Sequence, residues 1–145
     1  MNKVLLIVIT ATIIFGCGIT DRKEGIKGRW ELIDYKIDWS DTLKMTESEK
    51  RLKKNFLKVF EDQFERNKGK MFMTYKDSTY TEQSSGTGYE SGDYYLKDDD
   101  STIVHFIGPK EMHGASNDII KTLTNNRLEI LITSTRQTNI YKRVD

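Results

Sequence analysis

From Lys70 to the end of the chain, short stretches rich in β-branched and aromatic residues are cut every few positions by polar turn clusters. Met71 to Tyr75 and Thr79 to Glu82 flank Lys76-Asp77-Ser78. Asp93 to Lys97 and Thr102 to Ile107 flank Asp98-Asp99-Asp100-Ser101, Asn117 to Thr124 and Leu128 to Thr133 flank Asn125-Asn126-Arg127, and Gln137 to Arg143 follows. Segments this short with turns this tight pair with their sequence neighbours as hairpins. Upstream, Ile33, Tyr35, Ile37 and Trp39 alternate with Asp34, Lys36 and Asp38, the period of a strand with one wet face. Trp30 and Leu32 lie on the opposite phase, which calls for a bulge or a change of face near Leu32. A further strand between Gln83 and Gly92 is weakened by Gly86, Gly88 and Gly92. The class is therefore all-β, mainly β with one helix. About eight sequential antiparallel strands favour an up-and-down barrel, whose interior is filled by side chains or holds one small ligand.

One stretch breaks the period of two. Thr46-Glu47-Ser48-Glu49 is a capping box, and Leu52, Phe56, Leu57, Val59, Phe60 and Phe64 follow at helical spacing until Asn67-Lys68-Gly69 stops the run. This predicts one α-helix from Thr46 to Lys68, after the first strand. Lys50, Arg51, Lys53, Lys54 and Lys58 make a basic flank that reads as a solvated face or as a dock for anionic lipid headgroups. Glu61, Asp62 and Glu65 dilute it and favour the solvated face.

The N-terminus addresses location. Met1-Asn2-Lys3 is a short positive start, and Val4 to Phe15 is an apolar run broken only by Thr10 and Thr12. That is shorter than the roughly 20 residues of a spanning helix and reads as a secretory signal peptide over residues 1–16. Ile14-Phe15-Gly16-Cys17 resembles the bacterial lipobox, in which the Cys thiol takes a diacylglyceryl group. Ile14, Gly16 and Cys17 match it, while Phe15 departs from the small residue usual there. Cys17 is the sole cysteine, so it has no partner for a disulfide within the chain, whereas a lipid attachment site explains both its number and its place. The resemblance implies a lipid-anchored envelope protein, with residues 17–27 as lipidated Cys and flexible tether and residues 28–145 as the folded domain. Gly18 after the Cys resembles lipoproteins sorted to the outer membrane.

Charge and chemistry remove other classes. With 23 Lys+Arg against 22 Asp+Glu there is no basic surplus to neutralise phosphates, so nucleic acid is not an expected partner. Seven Tyr, six Phe and two Trp supply aromatic surface for one core. His105 and His113 stand alone as histidines, on either side of Gly108-Pro109, and His105 reads as a packed strand residue. Asp98-Asp99-Asp100 lacks the Gly of a calcium loop, and Gly86 to Gly92 lacks the spacing and the following helix of a phosphate cradle. No Ser stands in a nucleophile elbow. The sequence predicts no enzyme, no cofactor and no metal.

In order and spacing, the chain resembles the bacterial lipocalin-like proteins found as small secreted lipoproteins. The matching elements are Gly28-x-Trp30, the helix before the second strand, Lys76-Asp77-Ser78-Thr79-Tyr80, Asp93-Tyr94-Tyr95-Leu96 before an acidic turn, Leu123-Thr124-Asn125-Asn126-Arg127-Leu128 and Tyr141-Lys142-Arg143. The resemblance implies Trp30 across one end of the barrel with Arg143 stacked on it. It also implies a carrier of a small hydrophobic ligand; such a ligand touches the apolar phase of the strands, taken as Tyr35, Met73, Tyr75, Tyr94, Phe106 and Ile130, with Phe60 from the covering helix. The alternative is an interaction module with a filled barrel that meets an envelope protein, as an assembly factor, inhibitor or immunity-type protein does.

Overall fold

A computed structural model describes residues 21–38, 45–84, 88–107 and 115–144. The leader, Cys17, Trp39, Gly86, Pro109 and His113 lie outside the described residues. The elements are α1 (Arg22–Ile26), β1 (Gly28–Ile37), α2 (Glu47–Asn67), β2 (Phe72–Tyr75), β3 (Thr79–Ser84), β4 (Gly88–Lys97), β5 (Thr102–Ile107), β6 (Ala115–Leu123), β7 (Arg127–Ile132) and β8 (Gln137–Val144). Each strand pairs antiparallel with the next, and β1 pairs with β8 from Arg29↔Val144 to Ile37↔Gln137, closing an eight-stranded up-and-down barrel. The bulge read from the phase change is present: the register slips between Leu32 and Asp34, so Trp30 and Leu32 face inward before it and Tyr35 after it.

Two expectations are corrected. The tether expected to reach Lys27 is, from Asp21 on, part of the fold. Asp21 caps α1, accepting from the amides of Lys23 and Glu24, and Ile26 is wholly buried. Five residues cannot hold a helix alone; α1 stands because it plugs one end of the barrel. The Trp30 indole donates to the Ile26 carbonyl at 2.7 Å, Lys27 pairs with Asp77 at 2.7 Å, and Arg22 reaches the Asp100 carbonyl. Arg143 lies 4.2 Å over the Trp30 ring and donates to the carbonyls of Gly25, Lys27 and Asn125. Gly28, at φ +126°, leaves room for it: a Cβ there would sit 2.5 Å from an Arg143 guanidinium nitrogen.

The second correction concerns β4, which starts at Gly88 rather than Asp93. Gly92 does not interrupt it. A Cβ at Gly92 would meet the Phe106 carbonyl oxygen at 1.8 Å, so glycine is what lets β4 approach β5 this closely.

Helix α2 has the expected box, with Thr46 accepting from the Glu49 amide and Glu49 reaching back to the Thr46 amide. It sits at the end of the barrel opposite α1, between the far end of β1 and the β7–β8 turn. Phe64 is buried in the core, and Tyr35 meets Phe60 and Phe64 edge-on at 4.8 and 5.0 Å. Leu52, Phe56 and Val59, part of the same apolar series, are instead exposed. Among the described residues these contacts all lie within 21–144, and β1–β8 closure leaves the barrel no open edge, so this stretch carries its own core and its own closure.

Candidate functional site

Inside the barrel, alternation along each strand decides which side chains meet. Tyr75 and Tyr80 are directly paired, as are Tyr94 and His105, and Ile103 and Asp118. The result is a buried polar-aromatic cluster. The Tyr75 hydroxyl and His105 Nε2 are 2.9 Å apart, and His105 Nδ1 lies 3.4 Å from an Asp118 carboxylate oxygen. Tyr75 stacks on His105 at 5.8 Å, with Tyr80 edge-on to the imidazole at 4.7 Å and Tyr94 edge-on to Tyr75 at 5.0 Å. Asp118 also accepts from Ser116 Oγ and the Thr133 amide, and Tyr94 donates to the Lys76 carbonyl. Among the described residues no buried side-chain nitrogen or oxygen lacks a partner, the condition under which a buried polar cluster rigidifies a core.

The wall above this cluster is acidic. Glu82 and Glu90 face each other across the β3–β4 ladder on the phase of Tyr80 and Gly92, and both remain exposed. Solvent reaches Glu82, but crowding by the surrounding barrel atoms strips part of its hydration, and this, then the Glu90 charge, raises its carboxyl above the usual range, against an opposing pull from His105. Burial, then Glu90, Glu82 and Asp118, push the Tyr80 phenol up to about 12. Burial likewise raises Tyr75 and Tyr141 above the usual phenol range, and both stay neutral hydrogen-bonding groups. Asp118, Glu82 and Glu90 carry no motif that marks them in the sequence. The available signal was a polar residue on an otherwise inward phase: Glu82 two after Tyr80, Asp118 two before Ile120.

Met73, Tyr75, Tyr94 and Ile130 point inward and belong to one buried core, with Met73, Tyr75 and Tyr94 toward the α1 end and Ile130 on the ladder row of Tyr35. Tyr35 is half-buried under α2. Phe106 faces out and not in, because the β4–β5 turn places His105 opposite Tyr94; Phe106 pairs with Asp93 and stacks on Tyr95 at 5.8 Å on the outer surface.

Phe60 belongs to another feature. Between α2 and the rim of the barrel lies a groove of about 430 Å³, walled by Ile37, Met45, Phe56 and Phe60 and bordered by Asp38, Lys53, Arg136 and Gln137. Its volume falls in the range of small-molecule sites, and its apolar walls gather residues from separate parts of the chain. Among the described residues, no group of three or more His, Cys, Asp or Glu is placed to hold a metal, and no helix is long and apolar enough to cross a membrane.

No family model matches the sequence, and no curated protein matches it. Solved structures do. A lipocalin-like protein from Bacteroides uniformis superposes with a TM-score of 0.52 at 11% identity, over 83% of this chain and 99% of that one. The fold is lipocalin-like. A DUF4847 family protein from Bacteroides vulgatus gives the same TM-score at 14% identity, over 86% of this chain and 100% of its own. At such identities the likeness extends to the lipocalin-like barrel and carries no residue roles.

Proposed function

We propose that the chain is a lipid-anchored envelope protein, not an enzyme, that binds a small, largely apolar molecule at the helix-covered mouth of its barrel. The apolar groove of about 430 Å³ under α2 carries the reading. Lipocalin-like folds accommodate small-molecule binding, and here the inward residues toward the α1 end are packed on one another, so the ligand's place shifts from the interior to the rim. Phe60 serves both as wall of the groove and as the ring that seats α2 on Tyr35. The anchor rests on the sequence: an apolar leader ending at a lone Cys17, with a thiol placed for acylation.

Native mass spectrometry of the protein purified from its source without detergent tests the ligand, and a co-purifying apolar small molecule is expected. Titration with N-phenyl-1-naphthylamine tests the place. Gln137→Trp, which fills the groove, abolishes probe uptake while the melting temperature holds. Met73→Trp overpacks the interior and costs roughly 1 to 3 kcal/mol without changing uptake. The opposite pattern puts the ligand inside the barrel, and absence of uptake in every form removes the binding function. For the anchor, Cys17→Ala releases the protein from membranes or leaves an unprocessed precursor; a processed variant that still partitions into the detergent phase refutes lipidation.

A further inference from the structure

The barrel uses only one side of α2. Phe60 and Phe64 turn toward Tyr35, while Leu52, Phe56 and Val59 are 70%, 67% and 55% exposed. At about 100° per residue, positions 52, 56, 59 and 63 form a second stripe roughly 90° around the helix from 53, 57, 60 and 64. Apolar side chains at i, i+4 and i+7 form a helix-packing seam, here Leu52, Phe56 and Val59 with Gln63 continuing it. Charge is segregated along the same helix. Residues 47–58 carry five cations against two carboxylates, and residues 59–67 carry three carboxylates against one cation.

We propose that this face of α2 joins two copies of the chain, packed antiparallel about a twofold axis, seam on seam. In that alignment Phe56 meets Val59 of the second copy and Leu52 meets its Gln63. The basic half of each helix lies along the acidic half of the other. Arg51 and Asp62 sit on the same flank of the seam and come opposite each other twice, as an isologous interface requires. A parallel pair would set basic half on basic half. A bilayer is the poorer occupant. Lys50, Lys54 and Lys58 lie on the side of α2 away from the seam, where they cannot reach headgroups beneath it. The helix also lies at the end opposite α1, and a lipid on Cys17 would be joined to Asp21 by four peptide bonds, at most about 14 Å of chain. The seam is short beside the roughly 800 Å² per partner of a stable dimer, so the association is weak and concentration-dependent.

Sedimentation velocity on residues 21–145, from about 10 μM to about 1 mM, measures it. The parent passes from monomer toward dimer over this range. Val59→Glu stays monomeric with an unchanged melting temperature. Arg51→Glu and Asp62→Arg each weaken the dimer by about tenfold, and the double variant, which restores opposite charges across the seam, recovers the parent constant to within about twofold. None of the substituted residues lines the groove, although the seam's Phe56 does, so at about 1 μM protein, where the parent is monomeric, each variant retains the parent's probe uptake and a failed ligand reading is distinguishable from a failed dimer. A parent that is monomeric throughout overturns the proposal. So does a double variant no tighter than the singles, or binding of the monomer to phosphatidylglycerol vesicles that Val59→Glu removes while no dimer forms.

Discussion

The closed end of the barrel invites a double-mutant cycle between Gly28 and Arg143. Gly28→Ala acts in two ways. At φ +126° an alanine is strained by about 1 to 3 kcal/mol whatever surrounds it. Its Cβ would also fall 2.5 Å from an Arg143 nitrogen, so the guanidinium must leave Trp30 and the Gly25 and Lys27 carbonyls. Arg143→Met removes the same clamp directly. The stacking is worth roughly 0.5 to 2 kcal/mol, and the partly solvated hydrogen bonds add a similar amount, so this variant costs about 2 to 3 kcal/mol. Gly28→Ala alone then costs about 3 to 6 kcal/mol, the strain plus the lost clamp. In the Arg143→Met background there is no clamp left to displace, and the same substitution costs only its strain. Urea unfolding of the parent, both singles and the double therefore returns a coupling of about 2 kcal/mol. Costs that add to within about 0.5 kcal/mol would show that Arg143 is indifferent to what stands at position 28, and the clamp as described would be wrong.

Trp30→Ala empties a fully buried site and removes the donor to Ile26, costing about 3 to 5 kcal/mol in the same assay; tolerance in a thermal melt would place the indole outside the core. Leu52→Ala changes stability by less than about 0.5 kcal/mol, whereas Phe64→Ala costs about 3 kcal/mol and frees α2 to exchange amide protons. Glu82 has a raised folded pKa, so its contribution to stability is full at low pH, where it is protonated in both states, and is lost as pH rises through the raised value. Glu82→Gln therefore raises the melting temperature at pH 7 and leaves it near the parent's at pH 4; an equal gain at both pH values would assign the effect to packing instead of charge.

Much of this architecture is legible because it is local. Thr46 and Glu49 announce the start of α2 in four letters, and the phase change at Leu32 marks the bulge that turns Tyr35 inward. What is not local is hidden. Arg-Lys-Glu-Gly-Ile has too few positions to show a helical period, and α1 is held by Trp30 and Arg143, the latter more than a hundred residues away. Glycines in β4 read as interruptions because the sequence does not reveal how close β5 passes at Gly92. For the site, choosing one apolar phase per strand places Met73, Tyr75, Tyr94 and Ile130 correctly inside. It misplaces Phe106, whose facing depends on the register that the acidic turn imposes on β5. Glu82, Glu90 and Asp118 are polar and so fall outside any apolar phase, and the groove is assembled only when Ile37, Met45 and Gln137 are brought under α2.

Barrel closure also bears on how the chain is made. Seven of the ladders join neighbours in sequence and can form as soon as each hairpin is synthesised, but the eighth joins β1 to β8, and the Arg143 clamp on α1 is supplied by β8 as well. A chain emerging from a ribosome or a translocation pore therefore carries β1 with one edge bare until β8 has followed it out. Closing that ladder spans over a hundred residues and comes late, after the entropy of the long loop has been reduced by the hairpins between. Until then the N-terminal segment stays unlocked, and the chain can be threaded before it is folded.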